Sequence, residues 1–324
     1  MSSNILTQAI RRATIAAAVG LAAAPAFAGA PMAGSPAPGY YRFMLGNFEI
    51  TALSDGTVDL PVDQLLHQPA EKTLAALHAA FEKAPLQVSD NAYLINTGKR
   101  LVLVDTGAGD LFGPTLGKLM RNLKASGYQP GQVDDIFLTH MHPDHVGGLV
   151  RNHLIQFPNA VVHADRAEGD WWLSQKHLDG APDASKGFFR DAMASVQPYV
   201  KAGKFNAFDG AVELVPGVKS YPSFGHTAGH TSYLIESAGK KLLLMGDLIH
   251  VSAVQFDHPE VTIAFDSDPG EAAAARAKVF GQMARDRTLV AGAHLPFPGV
   301  GHLRVSGEDY QWVPIDYSRM PARQ

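Results

Sequence analysis

Residues 136–148 read IFLTHMHPDHVGG, an apolar run followed by three histidines and one aspartate within six positions. His140 and His142 stand two positions apart at the end of a predicted strand, so both imidazoles point to the same side of an extended backbone. The proline that follows favours a first helical turn, which brings Asp144 and His145 round to the same small space. One zinc ion does not usually take four nitrogen and oxygen ligands from so short a loop. The four ligands therefore indicate two metal ions.

Further donors are expected at the ends of later strands. Three stretches qualify, because each carries a donor beside a glycine that permits close backbone approach: GHTAGH at 225–230, MGD at 245–247 and GAH at 292–294. Spacing alone leaves open which of the two histidines in the first stretch is a ligand.

The composition is typical of a globular protein. With 46% hydrophobic residues in 324, the chain has ample material for a core. A net charge of −4 without any Lys/Arg-rich run argues against a nucleic acid or an anionic membrane as partner, since both need clustered cations. The chain has no cysteine, which excludes thiolate ligands, thiol nucleophiles and disulfides. Any metal must therefore be bound by nitrogen and oxygen.

The first residues are typical of an export signal. Arg11 and Arg12 precede an alanine-rich run that is shorter than the roughly 20 residues that span a bilayer. AFA at 26–28 has the small-x-small pattern of a signal-peptidase site. We predict a signal peptide over 1–28, of the twin-arginine or the general type, and a periplasmic or secreted protein with no stable membrane insertion after cleavage. The Pro/Gly/Ala/Ser composition of 29–39 predicts a flexible leader.

From residue 40 to residue 324, predicted strands and helices alternate without a linker, which favours one α/β domain with helices covering a pair of sheets. A hairpin is expected at Gly46 and Asn47, one helix over 73–83, and another beginning after an N-cap at Asp268. Strands are predicted at 92–96, 101–104, 136–138, 160–163, 232–235, 242–245 and 289–291.

The ordered pattern HMHPDH, GHTAGH, GD and AH resembles the metallo-β-lactamase superfamily. The resemblance implies an αββα sandwich of two mixed sheets flanked by helices. It also implies that the ligand is the first histidine of GHTAGH, His226, rather than His230. Seven side chains would then hold two divalent ions: His140, His142 and His226 one ion, Asp144, His145 and His294 the other, and Asp247 both. Zn²⁺ is the expected metal, although Mn²⁺, Co²⁺ and Fe²⁺ accept the same ligands.

Four more stretches resemble the methyl parathion hydrolase group and its lactonase relatives, the dihydrocoumarin hydrolase type included: YRFMLG at 41–46, LFGPTLG at 111–117, AVQFD at 253–257 and HLPFPG at 294–299. This resemblance implies an aromatic pocket above the metals. Its walls would be Phe112, Trp172 and one of the pair Phe188 and Phe189.

His250 departs from the group's pattern, since the parathion-hydrolysing members have an aliphatic residue there. Beside the metals it would orient a substrate carbonyl or handle a leaving-group proton; the alternative is a surface histidine at the rim. Asp105 is expected to hydrogen-bond a ligand histidine or, equally, to stabilise a turn. His163 and His230 also have two possible roles: each either hydrogen-bonds a metal ligand or has no function beyond the fold.

Together these features predict an exported di-metal hydrolase in which a metal-bridging hydroxide opens neutral hydrophobic lactones or aryl esters. Asp144, Asp247 and His250 are the predicted catalytic residues, and organophosphate triesters are a related or side substrate. The alternatives are a dedicated organophosphate hydrolase and an N-acyl homoserine lactonase. A non-enzymatic metal-binding protein is disfavoured by the complete ligand set, and a nuclease by the lack of a basic run. A homodimer is the default oligomeric state.

Overall fold

The computed structural model describes residue 30, residues 32–317 and residue 320. The signal peptide predicted over 1–28 lies outside the described residues, and so does part of the predicted leader. By their internal contacts, residues 38–317 form one compact unit. Within the described range, every helix falls short of the length and hydropathy needed to cross a bilayer.

The strands of the described residues are β1 (Tyr40–Leu45), β2 (Phe48–Leu60), β3 (Leu86–Asn96), β4 (Leu101–Val104), β5 (Asp135–Phe137), β6 (Val150–Arg151), β7 (Leu154–Ile155), β8 (Val161–Asp165), β9 (Phe205–Phe208), β10 (Glu213–Val215), β11 (Val218–Pro222), β12 (Thr231–Ser237), β13 (Lys240–Leu244), β14 (Leu289–Ala291), β15 (Val300–Ser306) and β16 (Asp309–Pro314). The helices are α1 (Val62–Leu65), α2 (Ala70–Ala79), α3 (Leu119–Ala125), α4 (Pro143–Val146), α5 (Arg166–Trp172), α6 (Gln175–Gly180), α7 (Lys186–Lys201), α8 (Ser252–Gln255) and α9 (Pro269–Asp286).

Two mixed seven-stranded sheets carry the fold. The first has the order β1-β2-β3-β4-β5-β8-β9, antiparallel as far as β4 and parallel from β4 to β9. The second runs from β10 to β16 in sequence order and is antiparallel except between β13 and β14.

Alternating side chains place one apolar layer between the sheets and one on each outer face. In β4, Val102 and Val104 pack between the sheets, whereas Leu103 faces α3 and α7. In β13, Leu244 packs between the sheets and Leu243 faces α9. The αββα sandwich of two mixed sheets flanked by helices is therefore confirmed.

The hairpin predicted at Gly46 and Asn47 joins β1 to β2. The helix begun by Asp268 is also present, and the Asp268 side chain accepts a hydrogen bond from the amide of Glu271. The helix predicted over 73–83 was misplaced, because α2 already begins after Pro69. It ends before Phe81, which has a φ of 62° and is fully exposed instead of packing in the core.

Parallel pairing collects the polar loops at one edge of the sandwich. Val104 of β4 lies opposite Phe137 of β5, and Leu244 of β13 lies opposite Ala291 of β14. Because parallel strands end at the same edge of a sheet, the segments that follow these four strands come together there.

Candidate metal centre

The HMHPDH loop begins where the buried strand β5 ends. His142 is the N-cap residue of α4, and Pro143 stands at its first helical position, so the chain turns within one residue from extended to helical backbone. This turn brings the loop's histidines close together: the ring centre of His140 lies 4.6 Å from that of His142, edge to face, and 4.0 Å from that of His145, at a tilt.

Two groups of side chains in the described residues bring one ligand atom each to within 4.8 Å of one another. The first group is His140, His142, His226 and Asp247; the second is Asp144, His145, Asp247 and His294. All are buried except Asp144, which is half-buried. The fold thus brings together all seven predicted ligands, with Asp247 in both groups, and the groups suit two metal ions.

The chemistry of these atoms fits a pair of divalent cations. Nε2 of His140, Nε2 of His145 and Oδ1 of Asp247 are buried and accept no hydrogen bond from a described residue. Leaving a buried polar atom unsatisfied costs about 1–3 kcal/mol. Nε2 of His145 lies 3.1 Å from Oδ1 of Asp247, and Nε2 of His226 lies 3.1 Å from Nδ1 of His142. Cations bound between them would satisfy these converging lone pairs.

The other ring nitrogen of the candidate ligands is held by a neighbour, as is usual for metal-binding histidines. Nδ1 of His226 lies 2.9 Å from Oδ1 of Asp266, and Nδ1 of His294 lies 2.9 Å from the carbonyl oxygen of Ser89. These contacts fix the tautomer and leave Nε2 for the site.

Asp105 contacts a ligand histidine and the residue that precedes the HMHPDH loop. Its Oδ2 lies 3.0 Å from Nδ1 of His145, while its two oxygens accept hydrogen bonds from the amide and the hydroxyl of Thr139. The residue has a left-handed backbone with φ of 60°, at the point where the chain leaves β4. The interpretation of Asp105 as a partner of a ligand histidine is therefore confirmed.

His230 supports the site through Asp247. Its Nδ1 donates to the carbonyl of Ser223, and its Nε2 accepts a hydrogen bond from the amide of Asp247 at 3.0 Å. Burial and the neighbouring His226 lower the pKa of His230 to about 3, so the ring stays neutral. His163 lies elsewhere: it packs edge-on against Phe137 and contacts Asp135 at 3.1 Å.

Glu168 ties the two histidine-rich loops together, and sequence analysis missed it. This fully buried side chain accepts hydrogen bonds from the amides of Met141 and Gly229 and from the hydroxyl of Thr227. Gly229 must be glycine, because a Cβ there would lie 2.4 Å from the Glu168 nitrogen. Burial raises the pKa of Glu168, against the effect of its three hydrogen bonds.

A buried ion pair behind His226 was also missed. Arg276 of α9 lies 3.9 Å from Asp266 and donates hydrogen bonds to the carbonyls of Leu248, Pro259 and Val261. Burial opposes ionisation of Asp266, but the hydrogen bond with His226, the nearby histidine charges and the amide of Ile263 together outweigh it and lower the pKa of Asp266. The arginine shares a helix face with four apolar residues, and that placement was the available signal.

A cavity of about 160 Å³ opens above the two groups. Its wall is largely apolar and comprises Val58, Leu60, Phe112, Leu116, Phe188 and Phe265. Of the predicted aromatic residues, Phe112 and Phe188 line it. Apart from members of the two groups, its polar side chains are Asp90 and His250.

Trp172 does not line the cavity, so this part of the pocket prediction was wrong, and of the pair Phe188 and Phe189 only Phe188 lines it. Trp172 is buried behind His142, with ring centres 5.3 Å apart, and packs on Phe189 at 4.6 Å. Successive helix residues point about 100° apart. Phe188 of α7 therefore reaches the cavity, while Phe189 turns into the core.

His250 is buried rather than at the surface. Its Nε2 lies 3.2 Å from Oδ2 of Asp247, and its ring stacks on that of His294 at 5.0 Å. Burial lowers its pKa to about 4, although Asp247 works in the opposite direction. The backbone is fixed by Gln255, whose Oε1 accepts hydrogen bonds from the amides of His250 and Val251.

Comparison with known proteins agrees with this geometry. Residues 87–294 match the family model described as the metallo-beta-lactamase superfamily. The chain belongs to this superfamily. It has the metallo-β-lactamase fold, and the matched range spans every residue of the two groups.

Among solved structures, the hydrolase AbOPH of the beta lactamase superfamily is 38% identical, with a TM-score of 0.84 over 88% of this chain and 100% of that one. AidC, a dizinc quorum-quenching lactonase solved with the product N-hexnoyl-L-homoserine, is 29% identical, with a TM-score of 0.78 over 87% of this chain and 99% of its own.

A curated N-acyl homoserine lactonase from Bacillus sp is 26% identical over 195 residues, which span 54% of this chain and 70% of the relative. The chain spans about half the length of two further curated relatives, 46% and 56%.

Proposed function

We propose that this superfamily member opens lactones or aryl esters of neutral, hydrophobic compounds, using two divalent ions of which zinc is the first candidate. Organophosphate triesters are a related or side substrate. The observation that carries the proposal is the pair of ligand groups sharing Asp247 beneath a largely apolar cavity. The lactonases among the relatives support the same substrate class.

When bound, such ions supply a hydroxide nucleophile near neutral pH and polarise the scissile bond. The side chain of Asp247 belongs to both ligand groups and so links them. Asp144 is the most exposed carboxylate of the set and lies on the cavity side, where it meets the reacting group of the substrate. The apolar wall formed by Phe112, Phe188 and their neighbours binds the hydrophobic part of the substrate and excludes water.

His250 interacts with the oxygen of the scissile bond. Its ring lines the cavity, and apart from the approach of Nε2 to Oδ2 of Asp247 at 3.2 Å neither nitrogen has a partner among the described residues. With a pKa of about 4 the imidazole is neutral near pH 7 and offers an N–H. That N–H can donate a hydrogen bond to the oxygen that gains charge when a lactone with an alkoxide leaving group opens, whereas a good aryloxide leaving group has less need of such a donor.

The test is a substrate panel with the metal-loaded protein: a six-membered aryl lactone, an N-acyl homoserine lactone, a phenyl ester and a methyl phosphotriester, each with and without chelator. We expect the lactones and the ester to react fastest and chelator to abolish turnover. The proposal would be refuted if no compound were hydrolysed, or if the rates were the same with and without chelator. Two bound ions without turnover would favour a binding protein.

His250→Leu tests the role of this histidine. We expect the ratio of N-acyl homoserine lactone to phosphotriester hydrolysis to fall by about tenfold or more, because losing the hydrogen bond to the leaving oxygen affects mainly the poor alkoxide leaving group. His258→Leu is the matched control, because His258 is an exposed histidine of the same region. An unchanged ratio in His250→Leu would remove the assigned role.

We also propose export with cleavage after Ala28. Supporting this are the sequence features of residues 1–28. Sequencing the amino terminus of the protein recovered from a periplasmic fraction tests it: a start at Gly29 is expected, and an intact amino terminus in the cytosol would contradict it.

A further inference from the structure

Asp90 is a buried carboxyl group on the cavity wall that the chain itself does not satisfy. Its side chain is 2% exposed, and its Oδ2 has no hydrogen-bond partner among the described residues. It lines the cavity but belongs to neither ligand group.

Other buried carboxyl groups nearby are fully used by the fold. Asp55 accepts hydrogen bonds from the amides of Ala108, Gly117 and Leu119, and so fixes the loop that carries Phe112. Glu168 likewise accepts three. Leaving a buried carboxyl unpaired destabilises a protein, so a donor for Asp90 is expected from outside the chain.

The backbone holds Asp90 firmly in this position. On one side, the carbonyl of Ser89 contacts Nδ1 of His294. On the other, the amide of Asn91 donates to the carbonyl of Ala293, and its side chain donates to the carbonyl of Leu295. Because neighbours in a strand point to opposite faces, these contacts leave Asp90 facing the cavity.

The surrounding wall defines what Asp90 can recognise. Its cavity neighbours Val58, Leu60 and Leu116 are apolar and offer no competing donor. A carboxyl group accepts hydrogen bonds whether or not it carries a proton. The lactone or ester group itself contains only acceptors, so the donor must lie on a substituent.

We propose that Asp90 is a specificity-determining residue that accepts a hydrogen bond from an N–H or O–H group on a substituent of the lactone or ester. This inference rests on the proposed hydrolytic function and narrows its substrate class. Purely hydrocarbon lactones leave Asp90 unsatisfied in the complex, whereas donor-bearing lactones satisfy it.

A matched pair of substrates tests this with the metal-loaded enzyme: an α-acylamino-γ-butyrolactone and its N-methylated amide, in which a methyl group replaces the hydrogen of the N–H. We expect the wild type to prefer the N–H compound by about tenfold or more in kcat/KM, mainly through KM, because without the N–H a buried acceptor stays unsatisfied in the complex. Asp90→Val should reduce the preference to near unity, and Asp90→Asn, which keeps one acceptor oxygen, should retain part of it.

Glu82→Gln is the matched control, since Glu82 also has an unpartnered carboxylate oxygen but lines a different surface pocket. It should leave the preference unchanged. A thermal unfolding scan adds a readout independent of activity. Asp90→Val should raise Tm, because it removes an unpaired buried carboxyl group, whereas a structural role predicts a lower Tm.

The outcomes separate the two proposals. If the wild type opens both lactones with equal kcat/KM and chelator abolishes both reactions, the role of Asp90 is overturned and the proposed function stands. The role of Asp90 is also overturned if Asp90→Val lowers kcat/KM by the same factor for both lactones and has a lower Tm than the wild type. If the metal-loaded wild type opens neither lactone, nor any other compound of the panel, both proposals fail together.

Discussion

The amide of Asp247 donates a hydrogen bond to Nε2 of His230 at 3.0 Å. The histidine ring is held in turn by the carbonyl of Ser223, and it is fully buried. His230 therefore fixes the backbone of the aspartate that belongs to both ligand groups, while His226, four residues earlier, is itself a member of one group. Two histidines of one short motif thus have separate roles.

Replacing each of these histidines by alanine should separate the roles. We expect His226→Ala to lose one of two bound ions, as measured by metal analysis. His230→Ala should keep both ions, with metal affinity about 10–100-fold weaker, as is typical when a group behind a ligand is lost. His302→Ala, at an exposed position, is the control. Loss of an ion from His230→Ala alone would reverse the assignment.

Glu168→Gln should destabilise the protein by roughly 1–3 kcal/mol, because the new amide places N–H groups against the donors of Met141 or Gly229. The measurement is the free energy of unfolding in denaturant. Glu71→Gln, at an exposed position of α2, should change stability by no more than about 0.5 kcal/mol. Equal stability of both variants would show that Glu168 does not hold the two loops together.

The ligand groups were predictable because each ligand sits in a local pattern of strand end, polar residue and glycine. His140, His142 and the later donors follow in a fixed order along the chain. Glu168, Asp266 and Arg276 carry no such local pattern. Their partners lie tens of residues away in sequence, for example 59 between Glu168 and Thr227 and 40 between Asp266 and His226. Only the packing of α5 and α9 on the sheets brings them together.

The aromatic pocket also shows which features the sequence predicts and which depend on packing. A pair such as Phe188 and Phe189 predicts that one ring faces the site, but the choice depends on the rotation of α7 about its axis. That rotation is set by the apolar face that α7 buries on the first sheet. Trp172 was misassigned for the same reason, since α5 turns it beneath His142.

The positions of the two aromatic residues predict different kinetics. Phe188→Ala enlarges the cavity and should change kcat/KM by different factors for small and for bulky lactones. Trp172→Leu removes packing behind His142 and should lower kcat/KM by a similar factor for both. It should also reduce stability, by up to about 3–5 kcal/mol if the neighbours do not relax. Substrate-size dependence in Trp172→Leu alone would place its ring in the cavity after all.

Asp135 predicts a pH dependence of stability away from the metal centre. Burial would raise its pKa, but hydrogen bonds from His163 at 3.1 Å and from Arg100 at 2.5 Å outweigh burial and lower it. A carboxylate whose pKa is lowered by folding stabilises the native state above its unfolded pKa of about 3.9. This contribution is lost as the pH falls through the lower, folded pKa.

Asp135→Asn should therefore lower Tm at pH 7, and its difference from the wild type should shrink below about pH 4. Comparing both proteins at each pH cancels effects common to both, such as loss of metal in acid. Asp110→Asn is the control, because the Asp110–Arg151 pair is exposed and such pairs contribute about 0–1 kcal/mol. If the Tm difference stayed constant from pH 7 to pH 3, the paired charge of Asp135 would not be the source of its stabilising effect.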